Sequence, residues 1–333
     1  MPADRPAPRD ASRPARSRAG LARLALFAGL ALSLTSLHGY IINYGDKADK
    51  RDDRHGRIVS LEGESPWAYR VAVPFVAEGV QRALAPLPIP PKDAREGGYL
   101  AVRFLALWFT LVAVERVARR FVAPGYALAA ALWLAALHGP SFQHYWFSPD
   151  SPVDLALWAG AVWLSLAGRG WALVPLVFLG SINRETAVFV APLHLALRFG
   201  EEPLKPLLAR CAAIGAAWAL PFLALRELVQ VEGWARGKTV IDYLGNNLGR
   251  PEWMLYAAVF VLPWLILPLI GWARVPPPLR RAMIGLSPYL ALILLFGRVR
   301  EVRLFLPLAV AFLPAAMVVL QRWTDDDDEV AGA

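Results

Sequence analysis

The stretch WMLYAAVFVLPWLILPLIGWA, residues 253–273, runs for 21 positions without a charged side chain. A transmembrane α-helix needs about 20 consecutive apolar residues to cross a hydrocarbon core about 30 Å thick. Similar apolar runs recur along the 333-residue chain, of which 56% is hydrophobic. Because a soluble domain of this size needs more polar surface, the pattern predicts an all-α, polytopic transmembrane helical bundle with about 9 to 10 membrane segments.

The predicted membrane segments are the apolar runs between charged or Pro- and Gly-rich breaks. They lie near 21–42, 98–115, 121–139, 152–168, 170–182, 185–199, 206–226, 252–273, 282–297 and 302–321. The fifth and sixth are short, so they form either one bent hairpin or two half-helices. The transmembrane domain is predicted to span 21–322, after a disordered basic tail at 1–20 and before an acidic tail at 323–333.

The distribution of basic residues predicts the orientation. The net charge is +8, and the tail and alternate loops carry more Lys and Arg than the short loops of the other side, which favours a cytoplasmic N-terminus. The expected partner of these side chains is membrane lipid. Nucleic acid is not expected, because no basic-aromatic binding motif accompanies the charge. The single cysteine, Cys211, excludes an intrachain disulfide.

The only long outer loop is predicted at 43–97. Between residues 66 and 85, apolar side chains recur at helical spacing, including Trp67, Val71 and Phe75. This pattern predicts an amphipathic helix that lies in the membrane interface.

Charged residues at the edges of apolar segments are the candidate functional residues, because a charge at membrane depth costs at least ~2.5–3.5 kcal/mol. Asp46 directly follows the first segment, where a carboxylate can act as a general base or a metal ligand. The alternative is an ordinary loop acid, and Asp49, Asp52 and Asp53 are rivals. Arg70, on the interfacial helix, is either a ligand for a lipid-linked phosphate or a plain headgroup contact.

Two further charged groups are predicted on the same outer side. Asp150 and Asp154 follow an aromatic cluster, and capping of the next helix explains only one of them. The second group joins Asn183-Arg184-Glu185 with the segment Arg298–Arg303, which contains Glu301. Mutual salt bridges are one explanation of this group. The other is that the excess of arginine binds a phosphate or pyrophosphate leaving group.

These motifs, taken in order, resemble those of bacterial integral-membrane glycosyltransferases of the GT-C type. The motifs are the acid after the first segment, Tyr-Arg-Val-x-x-Pro at 69–74, Ser-Pro-Asp at 148–150, Asn-Arg-Glu at 183–185, and Glu-x-Arg-x-x-x-Pro at 301–307. The resemblance covers about residues 20–320. It implies a multi-pass protein of the bacterial inner membrane and glycosyl transfer from a polyprenyl-phosphate-linked sugar at the outer face.

The resemblance also implies roles for individual residues. Asp46 would be the base, or would hold a divalent cation (Mg or Mn). Arg184, Arg298 and Arg303 would bind the donor phosphate. Apart from the resemblance, Asp150 or another acid such as Asp154 is the alternative candidate base. The sequence leaves two rival functions open, a transporter or flippase of a lipid-linked or anionic substrate and a non-catalytic scaffold of an envelope-assembly complex. Nucleotide-binding loops, a zinc-protease motif and a serine-hydrolase elbow are absent from the sequence.

Overall fold

The computed structural model describes residues 13–44, 48–141, 149–234 and 239–331, and it is 85% helical. Fourteen α-helices and two short strands follow one another in these ranges. They are α1 Arg13–Tyr44, α2 Ala48–Val59, β1 Glu62–Ser65, α3 Ala72–Leu84, α4 Pro91–Ala118, α5 Pro124–Ser141, α6 Ser151–Leu166, α7 Leu173–Asn183, α8 Val190–Arg198, α9 Leu204–Leu228, β2 Gln230–Trp234, α10 Val240–Leu248, α11 Pro251–Phe260, α12 Leu262–Ile270, α13 Pro277–Phe296 and α14 Val302–Ala331.

Each of the ten predicted apolar segments contains helix, which confirms the all-α class. Five helices in the described ranges are long and apolar enough to cross a membrane, and α11 with α12 would make a sixth. The five are Arg18–Ile42 within α1, Pro91–Ala118, Leu204–Leu228, Pro277–Phe296 and Val302–Asp326. The helices Ser151–Leu166 and Gly170–Asn183 are apolar but shorter.

The segment predicted as one span at 252–273 is bent by 60° between α11 and α12. Pro263 lies in the first turn of α12. Proline has no backbone N–H and its ring clashes with the carbonyl four residues earlier, which favours a bend in the helix at this position. The predicted segment 252–273 is therefore two helices joined at a bend.

Helix α14 lies at the centre of the bundle. In its apolar window 83% of residues are buried, compared with 17% in α1 and 22% in α9. It packs against α5, α6, α12 and α13. The two least buried helices are thus peripheral, with apolar side chains facing outward.

The ends of the helices gather at two ends of the bundle. At one end, the Asn183 side chain at the end of α7 donates to the backbone oxygen of Asp150, just before α6, at 3.1 Å. At the opposite end, Arg281 near the start of α13 contacts Glu201 after α8 at 2.9 Å. The end that contains Asn183 and Asp150 is called the site end below.

The short segments 170–182 and 185–199 form an antiparallel hairpin. Gly180 lies against Ala187 close to the tip, and Gly170 lies against His194 far from it. The tip carries Asn183-Arg184-Glu185 and continues as a 3₁₀ helix, Glu185–Phe189. The two short helices are therefore joined as a hairpin, and the choice between a hairpin that reaches the far surface and two half-helices stays open.

The predicted outer loop packs on the site end as ordered structure. The helix expected at 66–85 is a 3₁₀ turn, Trp67–Tyr69, followed by α3, whose Val73 and Ala77 are buried while Phe75 is 44% exposed. A Cβ atom at Gly98 of α4 would come within 2.9 Å of the Ala77 Cα atom, so only glycine allows this close approach. The parallel pairing of β1 with β2 was not predicted.

Both predicted tails are partly helical. Helix α1 begins at Arg13, inside the segment 1–20, and α14 continues to Ala331 through most of 323–333. Residues 1–12 lie outside the described ranges, so the prediction of disorder stays untested there.

Candidate functional site

Three of the predicted charged groups meet at the site end. The Arg70 guanidinium donates to both carboxylate oxygens of Glu185, at 2.6 and 3.3 Å, and to Asp150 Oδ2 at 3.3 Å. Arg70 lies between the 3₁₀ turn and α3, Asp150 directly precedes α6, and Glu185 lies at the hairpin tip. One side chain of the outer loop therefore connects two separate parts of the bundle.

Arg184 extends this contact inward. Its Nη1 atom lies 3.2 Å from Asp154 Oδ2, and its Nε atom lies 3.7 Å from Asp150 Oδ2. The Thr186 hydroxyl donates to the other Asp154 oxygen at 3.1 Å. The side chains of Arg184 and Asp154 are only 6% and 2% exposed. Arg70, Asp150, Asp154, Arg184 and Glu185 are called the ion network below.

The ion network contains no surplus positive charge. It has two arginines and three carboxylates, so its formal charge is −1 when all are ionised. Helix capping does not account for Asp150, because it occupies the N-cap of α6 without a side-chain capping bond. An excess of arginine was predicted for 183–185 together with 298–303. Because Arg70 and Arg184 already contact carboxylates, that excess lies in the segment 298–303 alone.

That second segment forms a separate group. Arg303 contacts Glu301 at 2.7 Å, and Arg298 reaches Glu301 only at 4.0 Å. The Arg303 Nη1 atom is buried without a hydrogen-bond partner in the described ranges. This group therefore retains guanidinium nitrogens that can bind an anion.

Three aromatic rings pack together near the ion network. Tyr289 of α13 packs against Trp158 of α6 at 5.2 Å and against Phe189 at 5.7 Å between ring centroids. Its hydroxyl donates to the Leu304 backbone oxygen at 2.9 Å, which ties α13 to the start of α14. Trp158 lies four positions after Asp154, and Phe189 lies four positions after Glu185, so two network residues are close in sequence to rings of the hydrophobic core.

A small polar cavity lies beside the ion network. It has a volume of about 20 Å³ and is lined by His38, Ile42, Arg51, Glu96, Tyr99, Leu100, Arg103 and Pro149. Arg51 pairs with Glu96, and the Arg51 and Arg103 residues are 6% and 4% exposed. The volume is sufficient for about one water molecule. Pro149 directly precedes Asp150, so the cavity and the ion network are neighbours.

Asp46 lies outside the described residues. Helix α1 ends at Tyr44 and α2 begins at Ala48, and Ile42, four positions before Asp46, lines the cavity. Its predicted role as base or metal ligand stays a prediction. The rival acids are engaged with basic side chains, as in the contact of Asp52 with Arg95 at 2.9 Å.

No group of three His, Cys, Asp or Glu side chains suited to a metal ion occurs within the described ranges. The three carboxylates of the ion network already accept hydrogen bonds from Arg70, Arg184 or Thr186. These carboxylates are therefore already engaged, and the divalent cation that the resemblance places at Asp46 stays a prediction.

The predicted outer loop contains a buried histidine. His55 of α2 lies 2.8 Å from the Tyr99 hydroxyl through Nδ1 and 3.3 Å from Glu78 Oε2 through Nε2. Burial lowers the pKa of His55, and the hydrogen bond to Glu78 offsets part of this effect. Hydrogen bonding to Arg82 lowers the pKa of Glu78.

Sequence reasoning missed the polar residues that line the cavity. Arg103 lies inside the predicted segment 98–115, so the rule that a charge at membrane depth needs a partner or a function would have identified it. Arg51 and Glu96 had no such signal, because they lie in charged stretches of the loop. Only the packing of α2 on α4 shows that they are buried.

No protein-family model, no curated protein and no solved structure matches this chain.

Proposed function

We propose that the protein is a multi-pass protein of the cytoplasmic membrane, with about nine or ten membrane segments and the site end on the outer side. The support is the set of long apolar helices together with the bias of Lys and Arg toward the opposite end and the N-terminal segment. Helix α6 has 16 residues and would span about 24 Å, which is less than the hydrocarbon core of a typical bilayer. To cross the membrane, such a short helix would need neighbouring helices around it or a locally thinner bilayer.

Within this topology, we propose glycosyl transfer from a polyprenyl-phosphate-linked sugar to an acceptor at the outer face. The observation that best supports this reaction is the ion network. It brings together Arg70, Asp150 and Glu185, which are up to 115 positions apart in the chain, and it lies beside a polar cavity. Buried charges are costly unless they are paired, and such clusters concentrate at functional sites. The resemblance to GT-C transferases supports the same class of reaction.

The proposed reaction is a displacement at the anomeric carbon. A carboxylate takes the proton of an acceptor hydroxyl, whose oxygen forms a bond to the anomeric carbon while the bond to the lipid phosphate breaks. Asp46 is the proposed base, with Asp150 and Asp154 as the other candidates. Arg298 and Arg303 would neutralise the phosphate that leaves, and Arg70 and Arg184 would hold the carboxylates in place.

The test uses purified protein in detergent with a panel of polyprenyl-phosphate sugars and acceptors, with and without divalent ions. Release of free lipid phosphate is measured for the wild type and for Asp46→Asn, Asp150→Asn and Arg184→Ala. The matched control is Asp326→Asn, because Asp326 is an exposed acid at the opposite end, with a side chain that is 60% exposed.

Release that is lost in Asp46→Asn and kept in Asp326→Asn supports both the reaction and its base. Release lost only in Asp150→Asn supports the reaction and moves the base into the ion network. Full activity in both Asp46→Asn and Arg184→Ala contradicts the assignment of these residues. A lack of release with every donor and acceptor contradicts the proposed reaction.

The second candidate function is a non-catalytic scaffold of an envelope-assembly complex. It is favoured by one observation, the mutual pairing of all five ion-network side chains. A transporter or flippase is favoured by the 60° break between α11 and α12, because interrupted helices are common at transport sites. Movement of a labelled lipid across vesicles without release of lipid phosphate would identify the transporter.

A further inference from the structure

Two arginines face one tryptophan ring at the start of α11. The Arg300 Cζ atom lies 4.3 Å from the Trp253 ring centroid, and the Arg250 Cζ atom lies 4.7 Å from it. The indole is 6% exposed, so its position is fixed by packing. A guanidinium within about 6 Å of an indole face is attracted by the ring, and this places both cations around a rigid centre.

The positive charge around Trp253 exceeds the negative charge of its surroundings. Within the described ranges, no ion pair is formed by Arg250 or Arg300, and Arg300 Nε is buried without a hydrogen-bond acceptor. Burial and the neighbouring Arg298 lower the pKa of Arg300, while Glu301 acts in the opposite direction. The surrounding charged groups are four arginines and two carboxylates, namely Arg250, Arg298, Arg300, Arg303, Glu252 and Glu301.

Exposed apolar side chains lie next to these cations. Helix α10 packs against α11 and α13. Its Ile241 and Leu248 residues are 79% and 72% exposed. Its Asn247 side chain donates to the Gly297 backbone oxygen at 3.0 Å and accepts from the Val299 backbone N–H at 3.2 Å. These bonds fix α10 to the segment that carries Arg300. A free phosphate would not need such an apolar surface, whereas a lipid would.

We propose that Arg250, Arg300 and Trp253 bind the phosphate headgroup of an anionic membrane phospholipid, with its acyl chains against α10 and α11. The planar guanidinium matches phosphate oxygens with two parallel hydrogen bonds, and the ring holds both guanidinium groups in position. The proposed occupant is a structural lipid of the bilayer. The proposal stands apart from the proposed glycosyl transfer because the donor phosphate is assigned there to Arg298 and Arg303, and not to Arg250 or Arg300.

The test measures lipid binding directly. Detergent-purified protein is titrated with phosphatidylglycerol, phosphatidylcholine, soluble glycerol phosphate and polyprenyl phosphate, and bound lipid is counted by native mass spectrometry. The variant is the double substitution Arg250→Gln/Arg300→Gln, and Arg250→Lys/Arg300→Lys keeps the charge but loses the planar groups. The matched control is Arg116→Gln, because Arg116 faces the Trp163 ring at 5.6 Å at the opposite end.

We expect phosphatidylglycerol to bind the wild type and Arg116→Gln equally, and to bind the double glutamine variant about 10- to 30-fold more weakly. The double lysine variant should lie between them, and if the glutamine variant does not fold, a weaker affinity of the lysine variant supports the site. Equal binding of phosphatidylcholine, or unchanged binding in both double variants, contradicts the proposal. If glycerol phosphate at equal concentration displaces phosphatidylglycerol, the site binds free anions and the proposal is contradicted. If the double glutamine variant loses only polyprenyl phosphate binding, the two arginines belong to the donor site and the proposal is likewise contradicted.

Discussion

The contact between Asp154 and Arg184 should be one of the strongest pairwise couplings in the protein. Two unit charges at 3.2 Å attract by about 5 kcal/mol at an effective dielectric constant of 20. Desolvation of both groups offsets part of this energy, since the side chains are 2% and 6% exposed. We expect a coupling free energy of about 2–3 kcal/mol between the two side chains.

A double-mutant cycle measures this coupling. Asp154→Asn, Arg184→Gln and the double variant are compared with the wild type by unfolding in mixed micelles of a denaturing detergent, followed by tryptophan fluorescence. Each single variant leaves one buried charge with fewer partners, so each should lose about 3–5 kcal/mol of unfolding free energy. The double variant should lose about 2–3 kcal/mol less than the sum of the two single losses.

The control cycle uses Arg274 and Asp326, which lie 3.1 Å apart with side chains that are 43% and 60% exposed. The separation is almost the same and only the burial differs, so this pair should show a coupling of about 0.2–1 kcal/mol. A coupling at Asp154 and Arg184 no larger than in this control would refute the argument that burial makes the ion network strong.

Three further changes should have measurable effects. Burial lowers the pKa of His55, so the unfolded state binds more protons than the folded state below about pH 6.5. The free energy of unfolding should therefore fall as the pH decreases through that value. Thermal unfolding of His55→Gln should depend less on pH than that of the wild type. Gly98→Ala, whose new methyl group would meet Ala77, should lose about 1–3 kcal/mol in the same micelle assay, whereas Gly97→Ala, which has open space, should not be destabilised. Arg70→Gln should increase amide hydrogen exchange in the outer loop, measured by mass spectrometry; unchanged exchange would mean that the ion pairs do not hold the loop.

The sequence was sufficient for the helical architecture because apolar runs of membrane length have few alternatives. It was less reliable where a proline lies inside a run. Pro263 breaks the segment 252–273, whereas Pro307 and Pro314 lie within the continuous helix α14. The local sequence does not distinguish these cases, since the packing around each proline decides whether the lost hydrogen bond can be tolerated.

For the candidate site, the sequence identified charged residues but not their partners. Arg70 was expected to contact a headgroup or a lipid phosphate, and this stays a prediction. Its protein partners Asp150 and Glu185, which lie 80 and 115 positions later in the chain, were not predicted. No local spacing rule connects positions so far apart. The pairing depends on how the outer loop packs between α6 and the hairpin tip, which is a property of the tertiary structure.

The long-range contact of Arg70 has a consequence for biosynthesis. Its partner Glu185 is made 115 residues later, which at roughly 5–20 residues per second takes about 6 to 23 s. Asp150 is made 80 residues after Arg70, so neither carboxylate exists when Arg70 is synthesised and the set is complete only with Glu185. The nascent chain must therefore keep Arg70 solvated or bound to lipid until the hairpin is inserted, and the first loop completes its docking only after the middle of the chain has been made.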